Sequence, residues 1–143
     1  MEIDKESLQF IFGSTIRALH KRTQLEFEKH NIAISPEQNF ILKFLDSNQE
    51  TIQAELAEKM QVDKSGIMRH IDQLEKKGFV KRVNDINDRR KKYLVLTEAG
   101  IQELEKSKMI IQQLGISALK NISDAELIIF KQVLNKLKEN AEN

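Results

Sequence analysis

The chain has no cysteine, one proline and five glycines among its 143 residues. Without cysteine there is no disulfide framework, no thiolate zinc site and no thiol-based redox sensor. With helix breakers this scarce, a mostly helical chain is expected. No run of about 18 apolar residues is present to span a membrane, and the N-terminus lacks the basic region and apolar segment of a secretory leader. A cytoplasmic protein without membrane association is therefore expected. Internal repeats and low-complexity segments are also missing, as are a glycine-rich phosphate loop, a nucleophile elbow and two carboxylates that can be placed across a cleft. Ser65 precedes Gly66, yet no base is placed beside it. His20, His30 and His70 do not share the i, i+4 spacing of a helical metal pair. Asp85-Ile86-Asn87-Asp88 fails as a calcium loop, because Arg89 takes the place of the third ligand and no glycine follows. No catalytic residue, metal or cofactor is expected.

What the chain does have is 40% hydrophobic and 31% charged residues, enough for one small core and too little for two independent domains. The formal net charge is only +1, but it is unevenly spread. Residues 62–92 carry ten Lys and Arg against five Asp and Glu, a net of +5, whereas residues 1–61 stand at −3 and residues 93–143 at −1. The molecule thus has one basic side, as a phosphate-binding surface requires.

That basic stretch has an ordered pattern. Asp63 can cap a helix start, and Gly78 sits where a left-handed residue would stop it. Between them Ile67, Ile71 and Leu74 form one buried stripe at i, i+4 and i+7. At about 100° per residue Ser65, Arg69, Asp72 and Lys76 fall opposite, with Lys64 and Met68 on the flanks. A major groove admits one such helix, whose basic residues meet phosphates while others reach base edges. Arg69 suits guanine O6 and N7, and Asp72, one turn on, can hold its guanidinium. Any surface helix also has a charged outer face, so the helix alone does not decide the matter.

Upstream, Leu8, Ile11, Phe12, Ile16, Leu19 and Phe27 predict a long amphipathic helix ending near His30-Asn31. Ser35-Pro36-Glu37-Gln38 combines an N-cap serine, proline at the first helical position and a capping-box glutamine, followed by Phe40, Ile41, Phe44 and Leu45. Thr51 is read as the cap of a short helix from Ile52 to Lys59. With the Asp63 helix it would make a helix-turn-helix that lacks the usual turn glycine. Phe79–Val83 and Tyr93–Leu96 read as paired strands. The nine residues between them are too many for a tight turn and end in four consecutive cations, which a wing on the phosphate backbone or minor groove would accommodate. Asp88 can pair with Arg90 and stiffen this tip. Thr97 can cap a helix through Ile101, Leu104 and Ile111, and Ser123-Asp124-Ala125-Glu126 is a second capping box, opening a helix with Leu127, Phe130, Val133, Leu134 and Leu137 inward.

Leu56-Ala57-Glu58, Asp63-Lys64-Ser65, Leu74-Glu75-Lys76-Lys77-Gly78-Phe79-Val80, Asp88-Arg89-Arg90 and Leu96-Thr97-Glu98-Ala99-Gly100 together resemble the MarR (multiple antibiotic resistance regulator) family of winged-helix transcription regulators. The resemblance is strongest from Pro36 to Gly100. It implies a mainly α fold with a small β-hairpin wing, in which residues 35–97 form a winged helix-turn-helix module and residues 1–34 and 98–143 a helical dimerisation region. It also implies that Ser65, Arg69, Arg89 and Arg90 contact DNA. Asn87 departs from the pattern, standing where many relatives carry an arginine. The full set of DNA-facing candidates is Lys64, Ser65, Met68, Arg69, Gln73, Lys76, Asp88, Arg89, Arg90 and Lys91.

The expected function is a homodimeric regulator that binds a pseudo-palindromic operator in double-stranded DNA. Repression is expected, since no second domain is evident to recruit polymerase. The resemblance further implies control by a small aromatic or phenolic effector between the helical region and the winged module, with Phe10, Phe12, Leu19, Phe40 and Phe44 as candidate walls. The same phenylalanine stripe also fits plain core. A first and last helix this apolar need covering, by each other within one chain or by a second chain. The alternative function is a winged-helix adaptor that binds protein without reading DNA sequence.

Overall fold

Ser35 starts its helix as a reciprocal capping box: its hydroxyl accepts from the Gln38 amide and the Gln38 side chain accepts from the Ser35 amide, both at 3.1 Å. The computed structural model describes residues 4–143. The first three residues of the predicted N-terminal segment lie outside it. The elements are α1 (Lys5–Lys29), α2 (Pro36–Ser47), β1 (Thr51–Ile52), α3 (Leu56–Met60), α4 (Lys64–Lys76), β2 (Val80–Asn84), β3 (Lys92–Leu96), α5 (Glu98–Ala118) and α6 (Asp124–Glu142). A 3-10 turn over Gln53–Glu55 precedes α3. The strands form an antiparallel sheet in the order β1-β3-β2, giving a helical protein with a small wing, as the sequence predicts.

The chain divides into two compact units, Met1–Ile111 and Gln112–Asn143. In the first, the predicted stripe Ile67, Ile71 and Leu74 is buried together with Phe27, Ile41, Leu42, Leu45, Leu56, Val80 and Leu94. Burying these side chains at roughly 1.5 to 3 kcal/mol each supplies the main drive for folding this unit.

Thr51 does not cap a helix. It is buried in β1, paired with Leu94 of β3, and its hydroxyl donates to the Asn48 carbonyl at 2.6 Å. The β-branched pair Thr51-Ile52 fits the free edge of β3, and two residues are too few to show alternation in sequence. The short helix accordingly begins at Leu56 without a side-chain cap. At the next turn Gln61 adopts φ 57° and ψ 43°, taking the left-handed position that a glycine usually fills.

The start of α5 is locked to the end of α4. Phe79 N–H donates to Leu74 O and Gly78 N–H to Glu75 O, a Schellman stop with Gly78 at φ 80°. Thr97 then donates its amide to Phe79 O at 3.0 Å and its hydroxyl to Gly78 O at 2.6 Å, while that hydroxyl accepts from the Gly100 amide at 3.0 Å. The predicted Thr97 cap is present, and it ties the wing's first strand to α5.

In the second unit Ser123 caps α6 by the predicted reciprocal box. The inward stripe expected there is not covered: no residue of α6 is buried, and Phe130, Val133, Leu134 and Leu137 remain exposed. In α1, Phe27 is buried, whereas Leu8, Ile11, Ile16 and Leu19 of the same predicted stripe are exposed. Their periodicity marks a face that the single chain leaves in solvent.

Candidate nucleic-acid interface

The N-terminus of α4 is held by Asp63, whose carboxylate accepts from the Gly66 amide at 3.2 Å and from the Ser65 hydroxyl at 2.6 Å. The Ser65 bond, then the Gly66 amide, hold the Asp63 carboxyl below its ordinary range. Ser65 is exposed at the helix start with its proton given to Asp63, so its oxygen can still accept. Lys64, Arg69 and Lys76 are exposed on the side away from the core, and their side chains make no hydrogen bond or ion pair among the described residues. Met68 is half-buried beside them.

Two α4 side chains differ from expectation. Gln73 is turned partly toward α2, where its amide oxygen accepts from the buried Gln38 at 2.8 Å. A position 120° from the buried stripe can reach either way, and the Gln38 amide needs the acceptor. Asp72 does not hold Arg69. Its carboxylate accepts from Arg82 of β2, which leaves Arg69 without a hydrogen bond or ion pair among the described residues, its charge acting at longer range on Asp63. Arg82 also donates to Glu75 and Gln53. Burial alone would lower the Arg82 pKa, but the bonds to Asp72 and Glu75 outweigh it and hold the guanidinium above the ordinary arginine value. The sequence does carry a signal for this arginine, since it shares strand parity with the buried Val80 and so needs counter-charges.

The wing tip is organised by Asp85, to which sequence patterning assigns no role. One carboxylate oxygen accepts from the Asn87 and Asp88 amides at 2.7 and 3.0 Å, and the other from the Tyr93 hydroxyl at 2.7 Å. This is an Asx turn, which an aspartate at the head of a polar loop foreshadows. Asp88 in turn accepts from the Arg90 amide at 3.0 Å, with the Arg90 guanidinium 3.7 Å away and almost wholly exposed. The predicted Asp88–Arg90 pair is thus mainly a backbone bond, and an ion pair so exposed adds little. Arg89 and Lys91 are exposed, and among the described residues their side chains make no hydrogen bond or ion pair. The loop therefore presents three cations from a backbone tied down by carboxylates.

Because the Tyr93 hydroxyl and then the two amides depress the Asp85 pKa, its contribution is complete above the ordinary aspartate range and is lost as pH falls through the depressed value. Asp85→Ala is expected to raise hydrogen exchange at the Asn87 and Asp88 amides by about tenfold or more while leaving α4 unchanged. Acidification through that depressed value should do the same in the wild type. Unchanged protection in the variant would remove Asp85 as the organiser of the tip.

The family model for the MarR family matches residues 34–92, the span from α2 to the wing tip. The chain is also 29% identical over 128 residues to YdgJ of Bacillus subtilis, an uncharacterised HTH-type transcriptional regulator, covering 90% of this chain and 77% of that protein. A putative MarR family transcriptional regulator from Listeria monocytogenes, solved with a 26mer DNA, is 28% identical with a TM-score of 0.78, covering 98% of this chain and 89% of that one. Over α2 to the wing tip the chain is similar to the MarR family. The fold alone is also shared with MepR of S. aureus, solved as a DNA complex, at a TM-score of 0.85 and 22% identity over 97% of this chain and 99% of that one.

A groove of about 660 Å³ lies within the first unit, between α1, α2 and the start of α4. Leu19 and Phe40 line it, with Ile16, Met60, Val62 and Ile67. Phe10, Phe12 and Phe44 do not. The five side chains expected to form one wall are therefore split, for a geometric reason. Phe10 and Phe12 are two residues apart and point to opposite sides of α1, while Phe12 lies two turns from Leu19. The polar groups at the groove are Thr23, His70 and the His20–Glu37 pair. Asp63 and Gly66 at its edge bring it against the capped end of α4.

Proposed function

We propose that the chain works as a homodimer that reads a pseudo-palindromic operator in double-stranded DNA and thereby represses transcription. The observation that carries this reading is the unpaired, exposed set Lys64, Arg69 and Lys76 on α4, next in sequence to a wing that presents Arg89, Arg90 and Lys91. A helix of this kind suits the major groove, and a basic wing tip suits the adjacent minor groove or phosphates. Ser65 and Met68 would contact DNA from the same end of α4. Asp88 would aim Arg90, and Gln73 would contribute its remaining amide protons at the edge. The Listeria and S. aureus relatives solved on DNA support the assignment.

Dimerisation would use residues 1–34 and 98–143, where the exposed apolar side chains of α1 and α6 invite a second copy. Two copies would set their reading helices one DNA turn apart, roughly 34 Å. A small aromatic or phenolic effector in the groove beside Leu19 and Phe40 would release DNA by changing that spacing. Such a regulator acts in the cytoplasm, and among the described residues no helix is long and apolar enough to cross a membrane.

Neutralising the wing tests the reading. Replacing Arg89 and Arg90 with alanine should weaken operator binding and make the log–log salt dependence shallower by about one unit for each phosphate no longer neutralised. Binding unchanged at every salt concentration would favour the protein-adaptor reading instead.

A further inference from the structure

Arg82 is the one basic side chain of β2 that turns away from solvent: it is 17% exposed, while its partners Asp72 and Glu75 are 67% and 41% exposed. Three of its donors are spent at 2.5 to 2.6 Å on Gln53 of the 3-10 turn, Glu75 and Asp72. The two acids belong to α4. Asp72 lies three residues after Arg69 and four before Lys76, so it shares their outward face. Glu75 lies on the flank beside it. Two carboxylates thus border the surface that, on the reading above, meets a polyanion, and each would repel phosphate.

We propose that Arg82 is a positioning residue for DNA recognition: without touching DNA, it draws the Asp72 and Glu75 carboxylates toward β2 and offsets their charge, leaving Arg69 and Lys76 unopposed. The inference deepens the proposed function and rests on it. Lysine could not replace Arg82, because a single ammonium lacks the planar fork that serves three partners on two elements at once. The arrangement also explains why an acid can sit one turn from the base-reading arginine without capturing it. A direct phosphate contact by Arg82 fits poorly with three committed donors, and a plain structural clamp would be weakened, and DNA binding with it, by neutralising Asp72 and Glu75.

The test is a thermodynamic cycle in the full-length protein, with a DNA duplex recovered by the wild type from a random pool as the probe. Arg82→Met is expected to weaken binding by about tenfold, whereas in an Asp72→Asn, Glu75→Gln background the same substitution should change it by less than about twofold. Thermal midpoints measured alongside identify loss of folding. Equal loss in both backgrounds would overturn the proposal, since it would mean that Arg82 meets DNA itself. Weaker binding by the Asp72→Asn, Glu75→Gln variant than by the wild type would overturn it too, since it would mean that the ion pairs merely support the wing. Should Arg82→Met not fold, the Asp72→Asn, Glu75→Gln variant decides alone. It keeps Arg82 and is expected to bind at least as tightly as the wild type, and weaker binding would overturn the proposal. Failure of the wild type to recover any duplex would instead overturn the DNA-binding reading beneath it.

Discussion

Gly100→Ala is expected to destabilise the protein by roughly 3 kcal/mol, the upper end for an overpacked site. A methyl group on Gly100 would stand 2.1 Å from the Phe79 carbonyl oxygen and 3.3 Å from its Cα. The obstacle is backbone, so no rotamer change relieves it. That carbonyl also accepts the Thr97 amide, and Phe79 completes the stop of α4. Moving it would disturb the end of α4, the first wing strand and the start of α5 together. Gly115→Ala in the same helix is the control, because nothing lies within 4 Å of its added methyl. There the better helix propensity of alanine should leave stability unchanged or raised by up to about 1 kcal/mol. Chemical denaturation of the two variants checks both values, and equal midpoints would contradict the close approach.

Arg69→Ala is expected to carry the largest effect on recognition. A bidentate arginine–guanine contact is worth roughly 1 to 3 kcal/mol of discrimination, and a dimer forfeits it at both half-sites, roughly 2 to 6 kcal/mol in all. The effect should be confined to one base position in each half-site. Lys76→Ala, removing a cation without base geometry, should weaken all sequences nearly equally. Competition binding against operator variants separates the two. A uniform decrease for Arg69→Ala would remove it as a base reader.

Much of this architecture was legible because local chemistry set it. Ser35, Asp63, Thr97 and Ser123 each cap the helix that the sequence assigns to them, and Gly78 ends α4 in the left-handed conformation. Ile67, Ile71 and Leu74 are buried as their spacing requires. What stayed hidden depends on partners far along the chain. Thr51 reads as a cap until β3 is placed beside it, 43 residues on at Leu94. Asp72 looks like the partner of Arg69 at helical spacing, but the fold brings Arg82 to it with a better-satisfied fork. Gln61 takes a left-handed turn that nothing in its side chain announces.

The pocket walls illustrate the same limit. Aromatic residues that look contiguous in sequence diverge once α1 and α2 are set side by side, and the groove is closed instead by Met60, Val62 and Ile67 from the helix-turn-helix. Apolar stripes on α1 and α6 were equally visible, yet a stripe does not say which chain covers it.

Sequence-specific reading of DNA by a dimer is tested most directly by selecting bound duplexes from a random pool with the purified protein, then measuring binding of the recovered motif at two salt concentrations. The expected result is a palindromic motif with half-sites about one turn apart and an affinity that falls steeply as salt rises. No enrichment, or binding indifferent to sequence, would contradict it.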